Sequence, residues 1–232
     1  MKKARGIFIT GTDTGVGKTF IATGLINGLV KKGVRVAPMK PVETGCQVQN
    51  GKLIPADAIA LKEAAQVDIP FELINPYALQ HPLAPSVACG LEGIRIEVDK
   101  IKKAFLELTR QFDFLVVEGA GGLMVPIIGN YLFADLVCDL SLPVIIVSRP
   151  GLGTINHTLL TVLAARIWKL DLFGVVINYS ESQTYSLAEK TNQQVIELLS
   201  DVHVLGTVPF AELPNQKTEH IFDSIVDEFL LS

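Results

Sequence analysis

The residues that could do chemistry begin at position 11. Residues 11–19 read Gly-Thr-Asp-Thr-Gly-Val-Gly-Lys-Thr, one residue after an apolar run, Ile7 to Ile9, and directly before a segment of helical periodicity. Glycines let a backbone curl until its N–H groups point inward at phosphate oxygens, and the helix N-terminus behind them adds partial positive charge. In such a loop Lys18 reaches the outer phosphates and Thr19 offers its hydroxyl to Mg²⁺. Thr12 stands where the strict G-x-x-x-x-G-K-[ST] spacing has its first glycine, so with Gly11 the loop is one residue longer. A chance cluster of glycines would not come with a strand before it and a helix after it. The reading is a loop that binds the phosphates of a mononucleotide.

A second stretch fits the same work. Residues 112–122, FDFLVVEGAGG, are an apolar run ending in Glu118 and then a glycine run. A carboxylate at the tip of a buried strand beside a phosphate loop holds Mg²⁺ directly or through water, and Gly119, Gly121 and Gly122 permit close approach of a ligand to the backbone. Lys40, in MKPVETG, follows an aliphatic run and is expected at the C-terminal edge of a sheet. There a second cation near Lys18 would neutralise charge developing in phosphoryl transfer, the alternative being an ordinary surface lysine. Asp57, in PADAIAL, is either a second Mg²⁺ carboxylate or the N-cap of the helix that follows it. Asn178 ends another apolar run and either bonds an adenine edge or merely terminates the strand. Residues 178–181 read Asn-Tyr-Ser-Glu, not the Asn-Lys-x-Asp of guanine-specific proteins. The turn RPGLGTINH, 149–157, opens a long helix and is a candidate anion site, with capping by Thr154 or Asn156 as the alternative.

These residues need a scaffold that brings them to one edge. Short aliphatic runs recur at 6–10, 34–39, 114–118, 143–148, 173–178 and 203–208, almost all apolar on both faces. Between them lie helical patterns at 18–31, 57–65, 97–110, 133–140, 156–170, 186–199 and 218–231. Alternation of this kind predicts an α/β fold: a doubly wound, mostly parallel sheet flanked by helices, in a single domain over 1–232. The segment 43–95 carries Pro55, Pro70, Pro76, Pro82 and Pro85 and no clean strand, so it reads as an excursion that either shapes a substrate site or is a solvated connection.

Composition narrows the partners. The chain has 232 residues, 49% hydrophobic and 19% charged, with net charge −4. That excludes a disordered chain and gives no general electrostatic reason to bind nucleic acid or an anionic membrane. Cys46, Cys89 and Cys138 are scattered, and neither a disulfide framework nor a zinc site is suggested. No apolar run approaches a membrane span or the core of a signal peptide, and a reducing cytoplasm is the natural expectation. The four histidines are too dispersed for a metal site, and no hydrolytic triad stands out.

With these residues in view, the chain resembles the dethiobiotin synthetase family over nearly its whole length. The resemblance rests on GTDTGVGKT with its lengthened loop, KPVETG, the later Asp57, VEGAGG, the turn Gly151 to Thr158, a strand ending in Asn178, and Gly206 to Pro209. It implies a P-loop NTPase-like fold, ATP and Mg²⁺ as cofactors, and 7,8-diaminononanoate with CO₂ or bicarbonate as substrates. One amine takes up CO₂ as a carbamate, ATP phosphorylates it, and the neighbouring amine attacks the carbamic-phosphoric anhydride to close the ureido ring with loss of phosphate.

The same resemblance implies the site residues. Thr14, Gly15, Val16, Gly17, Lys18, Thr19 and Phe20 would wrap the triphosphate, with Thr14, Lys18 and Lys40 at the reacting groups and Gly119, Ala120 and Gly121 beside the nucleotide. Thr19, Asp57 and Glu118 would hold Mg²⁺, while Asn178, Tyr179, Pro209, Phe210, Ala211 and Gln216 would frame the adenine. Thr44 would touch the carbamate or diamine end. Gly153, Thr154, Ile155 and Asn156 would bind the substrate carboxylate from the opposite subunit of a homodimer. The family often has Glu where Gly15 stands, and the segment after Pro209 matches loosely.

A different class of protein shares these features: the MinD- and ParA-like ATPase switches. Their loop usually carries an extra lysine four residues before the glycine of GKT, where this chain has Asp13. Their membrane-binding C-terminal helices are basic, whereas residues 218–232 here are acidic. A third class is another ATP-dependent amide-forming or carboxylating enzyme acting on a different acid.

Overall fold

A computed structural model describes residues 5–181 and 187–231. In chain order its elements are β1 (Arg5–Gly11), α1 (Lys18–Lys31), β2 (Val36–Met39), β3 (Val42–Thr44), β4 (Gln47–Gln49), β5 (Lys52–Ile54), α2 (Ala56–Ala65), α3 (Phe71–Ile74), β6 (Tyr77–Leu79), α4 (Pro85–Glu92) and α5 (Val98–Gln111). There follow β7 (Phe114–Glu118), β8 (Pro126–Ile128), β9 (Tyr131–Leu132), α6 (Phe133–Leu140), β10 (Val144–Ser148), α7 (Thr154–Ile167), β11 (Leu172–Asn178), α8 (Leu187–Ser200), β12 (Val204–Val208) and α9 (Gln216–Leu231).

Six strands form one sheet in the order β12-β11-β10-β1-β7-β2, every neighbouring pair parallel. Alternate side chains of each strand enter opposite cores, as a period of two requires. Phe8, Leu115, Val117, Val144, Ile146 and Val175 face the core covered by α5, α6 and α7. Ile7, Ile9, Val116, Ile145, Val147 and Val176 face the one covered by α1 and α9. Strands buried on both faces carry no polar alternation, which is why they read as continuous aliphatic runs. β1 pairs with β7 on one side and β10 on the other. The connections leaving their C-terminal ends diverge there, and the crevice at this switch point is where open α/β sheets bind ligands.

The boundaries differ from expectation for local reasons. β2 begins at Val36 because Val34 donates its N–H to the Leu29 carbonyl at the end of α1, while the Arg35 carbonyl accepts from Asp113 and Phe114. α7 begins at Thr154 and stops at Ile167, and Lys169 just beyond has positive φ. α9 begins at Gln216, where the Asn215 side chain accepts the Lys217 N–H. The first residue of the helix expected at 186–199 lies outside the described residues.

The 43–95 segment has regular structure of its own. β3 pairs in parallel with β6, and β4 forms a hairpin with β5 across Asn50-Gly51, both at positive φ. α4 opens on Pro85. A second short hairpin, β8–β9, follows the glycine run after β7.

Candidate active site

The phosphate loop leaves β1 at the centre of the sheet and enters α1 through Gly17, at φ 89. Only glycine fits there: beyond the left-handed backbone, the Asn178 amide occupies the space a Cβ would need. That amide donates from Nδ2 to the Val16 carbonyl at 2.9 Å, so the end of β11 props the loop. The Asn178 Oδ1 is buried with no hydrogen-bond partner among the described residues. Lys18 curls back and donates to the Asp13 carbonyl at 3.2 Å. Burial, and next the nearby Lys40, lower its pKa to about 8.

Opposite the loop, three elements bring charge together. Lys40 follows β2 and is 2% exposed, which excludes the surface-lysine alternative. Its Nζ lies 2.6 Å from Glu118 Oε1 and 2.8 Å from Asp57 Oδ2, and it donates to the Gly119 carbonyl at 3.3 Å. Burial opposes the charged form of Lys40, but Glu118 and Asp57 outweigh it and hold the ammonium above lysine's ordinary value. It is a fixed cation rather than a proton donor. Thr19 donates its hydroxyl to the same Glu118 Oε1 at 2.9 Å. Burial pushes the Glu118 carboxyl up, with Lys40 opposing, and its Oε2 has no partner among the described residues. Burial also pushes Asp57 upward, but the Lys40 ammonium beside it outweighs that and holds it below the usual carboxylate range.

Asp57 is not an N-cap. The cap position of α2 is Pro55, which has no side-chain acceptor. The N–H groups of Asp57 and Ala58 instead donate to Glu43 Oε1 and Oε2, at 2.9 and 3.0 Å. Burial raises the Glu43 carboxyl to about 7, against the pull of those N–H groups.

These groups share a cavity of about 680 Å³. Thr14, Gly15, Gly17, Lys18, Thr19, Lys40, Thr44, Asp57, Glu118, Ala120 and Gly121 line it, together with Glu43, Pro82, Leu83, Ala84, Pro85 and Val125, which the sequence reading missed. Glu43 comes from β3, Pro82 to Pro85 from the entry to α4 and Val125 from the loop before β8, where three-residue strands, prolines and loops give no periodic signal; only the position of Glu43 inside KPVETG could have drawn notice.

Other expected site residues lie elsewhere. Val16 is buried in the second core, and Phe20 packs on Phe222 with ring centroids 6.0 Å apart. Gly119 packs against Phe8 and contributes its carbonyl to Lys40. Tyr179 is buried beside β12, its N–H donating to the Val208 carbonyl, so the 209–211 loop starts next to Asn178. Gln216 lines a separate hollow between α1 and α9, with Gly24 and Asn27. Gly153 to Asn156 form the start of α7 and are not in the cavity lining of their own chain. Gly153 takes the cap position without a side-chain bond, and Thr154 Oγ1 is buried without a partner among the described residues. Capping by Thr154 or Asn156 is therefore not what the turn does. Arg149 before it pairs with Asp13 at 2.7 Å.

No group of three or more His, Cys, Asp or Glu side chains among the described residues is arranged to hold a metal ion. Mg²⁺ does not need one, since it is bound by one or two carboxylates plus phosphates and waters. The Asp57 and Glu118 carboxylates, the latter with its Oε2 unpartnered among the described residues, and the Thr19 hydroxyl are a hard-oxygen set that fits it.

A family model described as an AAA domain matches residues 5–218. Among curated proteins, the ATP-dependent dethiobiotin synthetase of Thermodesulfovibrio yellowstonii is 45% identical over 212 residues, 88% of each chain. That of Methanocaldococcus jannaschii is 40% identical, covering 89% of this chain and 94% of its own. That of Bacillus subtilis is 39% identical, covering 98% and 96%. The chain belongs to the dethiobiotin synthetase family.

Solved structures place that family's fold among P-loop ATPases. MinD of Aquifex aeolicus, in its complex with MinC, aligns with TM-score 0.63 at 16% identity over 99% of this chain and 96% of its own. A ParA-family ATPase of Chlorobium tepidum aligns at 0.58 and 12%, over 98% and 99%. At those identities the likeness is one of fold.

Proposed function

We propose that this chain is an ATP-dependent dethiobiotin synthetase, which carboxylates 7,8-diaminononanoate with CO₂ and closes the ureido ring, releasing ADP and phosphate. One observation carries the reading: Lys40 is seated between Asp57 and Glu118, across the phosphate loop from Lys18, beside a cavity that continues past Thr44 to Pro82–Pro85. That is room for a triphosphate with an acceptor at its outer end.

In this reading the chain works by positioning and electrostatics. The N–H groups of residues 14–19 and the start of α1 hold the β- and γ-phosphates. Lys18 and Lys40 place positive charge beside the oxygens that bear negative charge as the phosphoryl group passes from ATP to the carbamate, and Thr14 borders the same oxygens. Thr19, Asp57 and Glu118 are the residues that would hold Mg²⁺, which when bound neutralises the β- and γ-oxygens. Thr44 lies at the diamine end. Asn178, Tyr179 and the loop Pro209 to Ala211 border the adenine, Asn178 offering its free Oδ1; Gln216, in its separate hollow, is the least supported member of that set.

The α7 turn completes the site of a second copy. Leu152 in the turn before α7, Leu160, Leu163 and Ile167 on α7, and Leu83, Val87, Leu91 and Met124 around α4, are all exposed apolar residues, and both helices pack on the same core. An apolar area of this kind suits a homodimer in which Gly153 to Asn156 meet the carboxylate of a substrate bound to the partner. The whole chain acts as one domain, with the 43–95 excursion forming the substrate side. No helix among the described residues is long and apolar enough to cross a membrane, and Cys46, Cys89 and Cys138 are free. We place the reaction in the cytoplasm, without nucleic acid or membrane as partner.

The likeness to MinD and ParA favours a second reading, an ATPase switch. Purified protein with Mg-ATP and bicarbonate separates the two. ADP release that requires the diamine is the expected result; release indifferent to it would leave a nucleotide-binding protein and overturn the synthetase.

A further inference from the structure

Glu43 has no role in the reading above, yet it is 5% exposed and both its oxygens are engaged. They accept the N–H groups of Asp57 and Ala58, the second and third residues of α2, which a helix leaves without internal partners. A capping side chain ordinarily does this from the residue before the helix, but Pro55 has none to offer. The acceptor comes instead from a strand 14 residues away.

That strand is firmly held. β3 pairs with β6 through Val42–Tyr77, Glu43–Ala78 and Thr44–Leu79. Just before it, the Lys40 N–H donates to Ile74 and the Lys40 carbonyl accepts from Asn75, each at 2.7 Å. One short segment therefore carries both the ammonium that meets the Asp57 side chain and the carboxylate that grips the Asp57 backbone. If α2 shifted by a fraction of its rise, the 2.8 Å contact from Lys40 to Asp57 would open.

We infer that Glu43 is a positioning residue, fixing the first turn of α2 so that Asp57 faces Lys40 and Thr19 at the Mg²⁺ edge of the site. It lines the cavity, and each of its oxygens accepts one of these backbone N–H groups. The inference rests on the proposed role of Asp57 as a metal-side carboxylate.

Two measurements on the full chain test it without turnover. The first is backbone hydrogen exchange at residues 57 and 58. Glu43→Ala is expected to speed it about tenfold. The second is the Mg²⁺ concentration needed for half-maximal tightening of ADP binding by calorimetry. Glu43→Ala is expected to raise it about tenfold, and the volume-matched Glu43→Gln about threefold, which guards against an alanine variant that fails to fold. Asp57→Asn is the comparator, and in the double variant with Glu43→Ala the two shifts should not multiply. Faster exchange with an unchanged Mg²⁺ requirement, while Asp57→Asn moves it, would make Glu43 a plain helix cap and overturn the inference alone. An unchanged requirement in Asp57→Asn itself would bring down the metal reading of Asp57, and this inference with it.

Discussion

The phosphate side of the cavity and the turn at the start of α7 are built in opposite ways. The Lys40 ammonium is buried and answered within the chain, by Glu118, the half-buried Asp57 and the Gly119 carbonyl, and Thr19 donates to the same Glu118 oxygen. At the α7 turn Leu152 is 93% exposed, Gly153 caps the helix with no side chain, and a stripe of exposed leucines runs on down the helix. A preorganised cluster of charges suits the step where charge moves, since it needs no reorganisation then. An open helix terminus with an apolar flank suits a surface finished by another copy. On the proposed reading, the nucleotide half of the site is built within one chain and the carboxylate half is finished by a second copy.

Breaking the first region should have the largest effect. Lys40→Ala removes the fixed cation and is expected to lower turnover about 10²- to 10³-fold, measured as diamine-dependent ADP release. It should also lower the thermal midpoint, because Glu118, fully buried, is left without its main partner. Near-normal turnover would remove Lys40 from the chemistry. Next comes the second region: Leu163→Asp places a charge in the α7 stripe and should yield monomers by sedimentation velocity. ADP binding should persist while turnover falls about tenfold or more. If the monomer were fully active, the α7 turn would not be contributed by a second copy.

Smaller effects sharpen the picture of the phosphate side. Glu118→Gln keeps the shape but not the charge, and should raise the Mg²⁺ concentration needed for nucleotide binding about tenfold. An unchanged requirement would take Glu118 out of the metal site. Gly17→Ala should cost about 1–3 kcal/mol of unfolding free energy, because a side chain at φ 89 is strained and collides with the Asn178 amide. An unaltered chemical-denaturation midpoint would show that the loop relaxes freely.

The six main strands were legible because burial on both faces writes itself as unbroken aliphatic runs such as FLVVE at 114–118. β3 and β6 were not, since three residues carry no readable period, and the Asn50-Gly51 hairpin, though its turn pair is a hairpin signal, has arms of only three residues. Lys18, Thr19 and Glu118 could be named because glycine runs and strand ends mark them. For Lys40 and Asp57 two readings stayed open until burial and the Lys40–Asp57 contact decided where each side chain lies. Glu43 had only its place inside KPVETG to mark it, and nothing marked its role: its partners are backbone N–H groups 14 residues on, and no spacing rule links a strand carboxylate to a distant helix start.

The most direct test is the product. Purified protein is given Mg-ATP, ¹³C-bicarbonate and 7,8-diaminononanoate, and the organic product is analysed by mass spectrometry alongside ADP. The account predicts a cyclic urea carrying one ¹³C, with one ADP formed for each. ADP without that product, or unchanged diamine with no ADP, would contradict it.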